Sequence, residues 1–167
     1  MKELDEYINL RDELDRLLSL KDYEKAFSLC ESLVKRYVSS CDLWYIRGLL
    51  ILKLDFPQDS TARTLDDAYQ SLCTSVILSP KNKYANIEAG FFELNINDDP
   101  DRALAYFKAA RINALEELRQ AVEGELKVYV DKKSDISEIA ELKSILNIFE
   151  GDLDIELILD ELGQPTK

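Results

Sequence analysis

Histidine is absent from this sequence, so the side chains best able to do chemistry are its carboxylates. Without imidazole there is no histidine base for a serine or cysteine nucleophile and no histidine ligand for a metal. Asp152, Asp154 and Glu156 have a spacing that superficially suits a calcium loop. That loop also needs a glycine at its sharp turn, and Leu157 stands there instead. Their alternation with Leu153, Ile155 and Ile158 reads as the start of a helix. Two further acidic pairs, Asp66/Asp67 and Asp98/Asp99, fall where helices are expected to begin, and negative charge there offsets the helix dipole. The sequence holds no glycine-rich phosphate loop, no G-x-S-x-G elbow and no cysteine–histidine pairing. Cys30 and Cys73 fall in apolar stripes and are expected to be inert core thiols, with Cys41 partly exposed beside a helix start. No catalytic residue, cofactor or metal is therefore expected, and the chain reads as a non-enzyme.

The distribution of the acids suggests another use. Acidic residues number 33 and basic residues 21, a net charge of −12 over 167 residues. Between Ser134 and Leu162 nine acids meet a single base, Lys143, for a net of −8, two thirds of the whole imbalance. A surface of that density steers a basic protein toward it, and Asp152, Asp154, Glu156 and Asp160 form the candidate acidic face. The competing expectation is that these acids are the solvated side of a capping helix. The same charge repels phosphate backbones and anionic lipid, so neither nucleic acid nor membrane is expected as a direct partner. The longest apolar run, Leu49 to Leu52, is too short to cross a bilayer, and Met1 to Asp15 lacks the apolar stretch of a signal peptide. Three cysteines with no CxxC pair suit a reducing, cytoplasmic setting.

The elements that must carry these residues follow from periodicity. Apolar residues make up 46% of the chain while glycine and proline number only five and four, which favours long helices over strands. Leu4, Tyr7, Ile8, Leu14, Leu17 and Leu18 mark a first helix, and Tyr23, Ala26, Phe27, Cys30, Leu33, Val34 and Tyr37 a second. A third runs from about Asp42 to Leu54, followed by a loop from Asp55 to Arg63 that holds Pro57. Thr64 and Asp67 predict a capping box for a fourth helix, which Pro80 ends. A fifth spans roughly Lys83 to Asn95, and Asp99 with Pro100 opens a sixth. A separate helical stretch is expected from Leu115 to about Val130. Another helix starts at Ser134 or Asp135, with an Asp135/Glu138 box, and runs toward Phe149. Gly151 then precedes a last helix from Asp152 to Leu162, and residues 163–167 form a flexible tail. The expectation is an all-α chain of about nine helices paired into hairpins.

Spacing between small residues adds a repeat. Ala26 and Ala68 are 42 residues apart, and so are Gly48 and Gly90. That is a unit of about 34 residues lengthened by the Asp55–Arg63 loop. Trp44 with Gly48 matches a W-x2-L-G opening except that Arg47 replaces leucine; Ala68, Leu72 and Pro80 match an A-x3-F…P close with leucine for phenylalanine; Gly90, Ala103 and Phe107 match in the next unit. In these residues the chain resembles the tetratricopeptide repeat family. The alternative is an irregular helical bundle whose small residues coincide in spacing.

The resemblance implies a right-handed array of helical hairpins, three units over residues 1–115, with residues 116–162 adding helices that cap or extend it. It places Trp44, Ala68, Leu72, Ala103 and Phe107 in the core. The first helix of each pair would line a concave groove. Family groove positions then fall on Arg11, Asp15 and Leu18, on Tyr45, Leu49, Leu52 and Lys53, and on Tyr84, Ile87, Phe91, Leu94 and Asn95. Tyr45, Leu49, Ile87 and Phe91 occupy slots where a carboxylate clamp would need polar residues, so the groove is expected to take an amphipathic helix or hydrophobic peptide. The protein's own last helices filling that groove is the competing arrangement. The function implied is a non-enzymatic protein–protein interaction module acting as scaffold, adaptor or inhibitor. The alternative is an acidic, immunity-type inhibitor covering the basic active site of a nuclease toxin.

Overall fold

A computed structural model of the chain describes residues 2–54, 63–132, 139 and 141–162. Among the described residues every regular element is helical. They are α1 Lys2–Ser19, α2 Tyr23–Arg36, α3 Cys41–Lys53, α4 Leu65–Leu78, α5 Lys83–Asn95, α6 Pro100–Asp131, α7 Lys143–Leu146 and α8 Leu153–Leu162, with a 3-10 turn at Asn147–Phe149. Of the loop expected from Asp55 to Arg63 only Arg63 is described, and the Asp135/Glu138 box and the tail at 163–167 lie outside the described residues. No helix among the described residues is long and apolar enough to cross a membrane.

The expected count of about nine helices is corrected at α6. The stretch expected to begin anew at Leu115 continues without a break from Pro100. The physical reason is plain in the residues: no glycine or proline occurs between Asp101 and Glu123, so nothing stops the helix. Gly124, further on, is exposed and tolerated.

Local chemistry starts α2, α4, α5 and α6 where the spacing predicts, whereas the helix expected to run from Ser134 or Asp135 toward Phe149 is described only as α7 and the 3-10 turn after it. The Thr64 hydroxyl accepts from the Asp67 amide at 3.1 Å, and the Asp67 carboxylate accepts from the Thr64 amide at 2.8 Å. These bonds hold the Asp67 carboxyl below its ordinary range. Asn82 caps α5 by accepting from the Tyr84 and Ala85 amides, and Asp99 caps α6 by accepting from the Arg102 amide at 2.9 Å. Asp22 starts α2 after Lys21, which adopts a positive φ of 59°.

Two compact units divide the chain, residues 1–111 and 112–167. In the first, α1 to α5 and the start of α6 pack each on its chain neighbour. Leu14, Phe27, Leu33, Leu43, Leu50 and Ile51 form the centre of the core. Arg36 at the end of α2 pairs with Glu6 near the start of α1, so these helices run antiparallel. A β-carbon on Gly48 would lie 2.9 Å from Leu72 and 3.1 Å from the Ala68 carbonyl, and one on Gly90 would lie 2.9 Å from the Phe107 ring. Both glycines thus mark close helix crossings, each against the residue four places after a buried alanine, Ala68 or Ala103.

Two of the residues expected in the core are only half-buried. Trp44 stays near the surface because its indole N–H donates to the Val38 carbonyl at 2.8 Å in the α2–α3 turn. Phe107 is half-buried because its outer edge meets Phe91, itself exposed, with ring centroids 5.0 Å apart. Ala68, Leu72 and Ala103 are buried as expected. In the second unit, Ile155, Ile158 and Leu162 of α8 pack with Val122 and Leu126 of α6 and with Ile139 and Leu142.

The glycines supply a paired test. Gly48→Ala forces Leu72 or the α4 backbone aside and should cost about 1–3 kcal/mol. Gly124→Ala meets nothing within 4 Å and should gain up to about 1 kcal/mol from helix propensity. Thermal unfolding followed by circular dichroism reads both.

Candidate functional site

Two polar clasps fix the helices that carry the expected groove. Arg47 of α3 bonds Glu31 of α2, and reaches the Ser71 hydroxyl and the Asp67 carbonyl of α4. It is the residue that replaces leucine in the repeat-like opening, and it ties three helices at once. In α5 the Glu93 side chain is fully buried. Its carboxylate accepts from the Tyr69 hydroxyl of α4 and from the Asn97 amide at 2.8 Å, and lies 2.9 Å from the Arg102 guanidinium of α6. Arg102 also donates to the Tyr69 hydroxyl at 2.8 Å, and Tyr69 stacks on Phe92 with centroids 4.8 Å apart. Burial and the bond to Glu93 push the Tyr69 hydroxyl well above its usual pKa.

The aromatic part of the groove comes together on α3 and α5. The Tyr45 and Tyr84 rings have centroids 6.5 Å apart, tilted by 35°. Tyr45, Leu49 and Ile87 are half-buried, whereas Tyr84 is 58% and Phe91 48% exposed. Leu52, Leu94 and Asn95 are also exposed. Burial, with the Glu88 charge second, raises the Tyr45 pKa. The charged members have partners within the chain: Arg11 pairs along α1 with Asp15, itself an expected groove position, and the Lys53 ammonium stands 5.9 Å from the Tyr23 ring of α2. Leu18 is half-buried against the α1–α3 core.

A mostly apolar cavity of about 380 Å³ opens between α4, α5 and α6, lined by Val76, Pro80, Asn86, Arg102, Tyr106 and Ala109, none of them a residue of the expected groove. Cys73, expected in the core, is half-buried, its Sγ 3.8 Å from the Tyr106 hydroxyl. Cys30 is buried, and desolvation pushes its thiol up to about 12, which keeps it protonated and unreactive. Among the described residues no group of three or more acids and cysteines gathers to hold a metal ion.

The acidic face is partly neutralised by its own unit. Arg119 of α6 binds Asp152 at 2.6 Å and Asp154 at 2.7 Å, and also contacts Glu123. Asp152 further caps α8 by accepting from the Asp154 and Ile155 amides, and the Glu156 carboxylate accepts from the Gly151 amide at 3.1 Å. Asp160 is exposed.

Neither Glu93 nor Arg119 was singled out from the sequence. The signal for Glu93 is an acid embedded in the apolar run Ala89 to Leu94 with Asn97 four residues on, but its other two donors, Tyr69 and Arg102, lie on separate helices and no local spacing links them to it. Compared with protein-family models, curated proteins and solved structures, the chain matches none.

Two predictions follow from these networks. Tyr69→Phe keeps the stack on Phe92 but takes one donor from the buried Glu93, and should cost about 1–3 kcal/mol in urea unfolding. Arg119 bonding holds the Asp152 pKa below its ordinary value, so its stabilising effect is complete above the unfolded pKa and fades as pH falls through the folded one. Below about pH 4, the urea midpoint of Asp152→Asn should therefore fall less steeply than that of the wild type.

Proposed function

We propose that residues 2–111 work as a tetratricopeptide-like binding module that holds an amphipathic helix or hydrophobic peptide of another protein against α3 and α5. The observation that carries this reading is the exposure of Tyr84 and Phe91 on one face of α5, beside the Tyr45 ring of α3. Large aromatic side chains left in water as a contiguous patch are characteristic of contact surfaces and supply most of the binding energy when covered. The repeat part of the reading is supported by the matching close contacts of Gly48 with Leu72 and Gly90 with Phe107. The setting proposed is the reducing cytoplasm, where the three free cysteines stay as thiols. No chemical step is assigned to the module; it acts as scaffold, adaptor or inhibitor.

The acidic inhibitor reading rests on Asp152, Asp154, Glu156 and Asp160. It is the weaker of the two, because Arg119 already compensates two of these charges and helix capping employs Asp152.

A partner isolated by cross-linking to the full chain provides the test. Its complex should persist in about 0.5 M salt, since apolar contact is little screened. Tyr84→Ala or Phe91→Ala should weaken it at least about tenfold, or 1.4 kcal/mol, with helicity unchanged. Affinity indifferent to both substitutions, with association slowed tenfold by neutralising the four acids, would instead support the acidic face.

A further inference from the structure

Among the described residues of 2–111, the carboxylates obey a rule with one exception. Of those that are not fully exposed, Glu13, Asp22, Glu31 and Glu93 each make an ion pair, while Asp67 and Asp99 cap helices. Glu88 is half-buried like most of them, yet among the described residues it alone in this set has no hydrogen bond or ion pair. Its place is informative. It lies one helical turn after Tyr84 and three residues before Phe91, on the aromatic face of α5. It is also near enough to Tyr45 for its charge to act on that hydroxyl.

A carboxylate without a partner inside the chain, set among apolar and aromatic side chains, is complemented by a cation or strong donors from outside. The two tyrosine rings beside it, 6.5 Å apart, offer negative π faces that favour a cation over a neutral group. The Lys83 ammonium, 5.0 Å from the Tyr84 centroid, shows that this ring's surroundings accept one. A single carboxylate is too few ligands for a metal ion, and an acidic partner group would be repelled. An ammonium or guanidinium on a long apolar stem fits both the charge and the apolar surroundings.

We infer that the partner helix carries a lysine or arginine within its apolar face, and that Glu88 receives this cation beside the Tyr45 and Tyr84 rings. This rests on the proposed role of the α3–α5 face and specifies the chemistry of what binds there. The apolar residues of the partner then cover Phe91 and Leu49, and the salt link sets its register.

Display selection with helical peptides randomised along one face, run against the full chain, tests it. Wild-type protein should select an apolar stripe interrupted by Lys or Arg at one fixed position. Glu88→Gln should keep the stripe and lose the basic preference, and Glu88→Lys should select Asp or Glu there, each variant retaining wild-type circular dichroism. A synthetic peptide of the wild-type consensus should bind Glu88→Gln at least about tenfold more weakly at low salt, with the gap narrowing as salt rises. A stripe without the basic position, or the same basic position selected by Glu88→Gln, overturns the inference while leaving the apolar face in its role. Selected peptides that bind Phe91→Ala as tightly as wild type overturn the role of the face itself.

Discussion

A carboxylate removed entirely from water has to be met by donors on every side, and Glu93 draws those donors from three places. Tyr69 comes from α4, Asn97 from the turn after α5, and Arg102 from the first turn of α6. Breaking such an arrangement by removing one partner is far more costly than the intact cluster is stabilising. The practical consequence is geometric: α4, α5 and the start of α6 have one mutual placement in which the charge is satisfied. Arg47 imposes a similar condition one hairpin earlier, where Glu31, Ser71 and the Asp67 carbonyl converge from α2 and α4.

These clasps explain why α3 and α5 present an aromatic face to solvent. Each helix is apolar on more than one side. On α3, Leu43, Ile46, Leu50 and Ile51 go to the core, and the close crossing at Gly48 brings α4 against the same helix. That leaves Tyr45, Leu49 and Leu52 on the remaining side. On α5, Ala85, Ala89 and Phe92 are buried and Gly90 meets Phe107, so Tyr84, Phe91 and Leu94 are left outside. With α3 anchored through the part-buried contacts of Arg47 and α5 through buried Glu93, this outer face cannot be hidden by a small rotation without unpairing one of them. Exposure of the rings is thus a consequence of the packing, and it presents an apolar surface that a partner can cover with little ordering cost.

Much of this was legible in the residues. The Thr64/Asp67 box and the Asp99–Pro100 start are local signals and appear where the spacing predicts, and the equally spaced Gly48 and Gly90 both fall at close helix crossings. The expectation of a separate helix from Leu115 fails because no residue between Asp101 and Glu123 can break a helix, and α6 runs on from Pro100 to Asp131. The repeat resemblance places Trp44 in the core, but an indole with its own carbonyl partner at the surface has no need to be buried fully. Register tells which residues of α3 and α5 share a face, but it says nothing of how Arg11 and Lys53 are used. Their partners, Asp15 and Tyr23, decide where those long side chains go, and periodicity carries no such information. Glu88, Glu93 and Arg119 escaped for the same reason: what distinguishes them is the presence or absence of a partner distant in sequence.

Amide hydrogen exchange on the Glu93→Gln variant probes the clasp most directly, because it resolves which helices the buried charge holds together. If Glu93 couples them as described, exchange should rise together in α4, α5 and the first turns of α6, while α1 and α2 keep wild-type protection. Faster exchange confined to α5, or spread evenly over residues 2–111, would contradict the claim that this carboxylate sets the placement of the helices carrying the aromatic face.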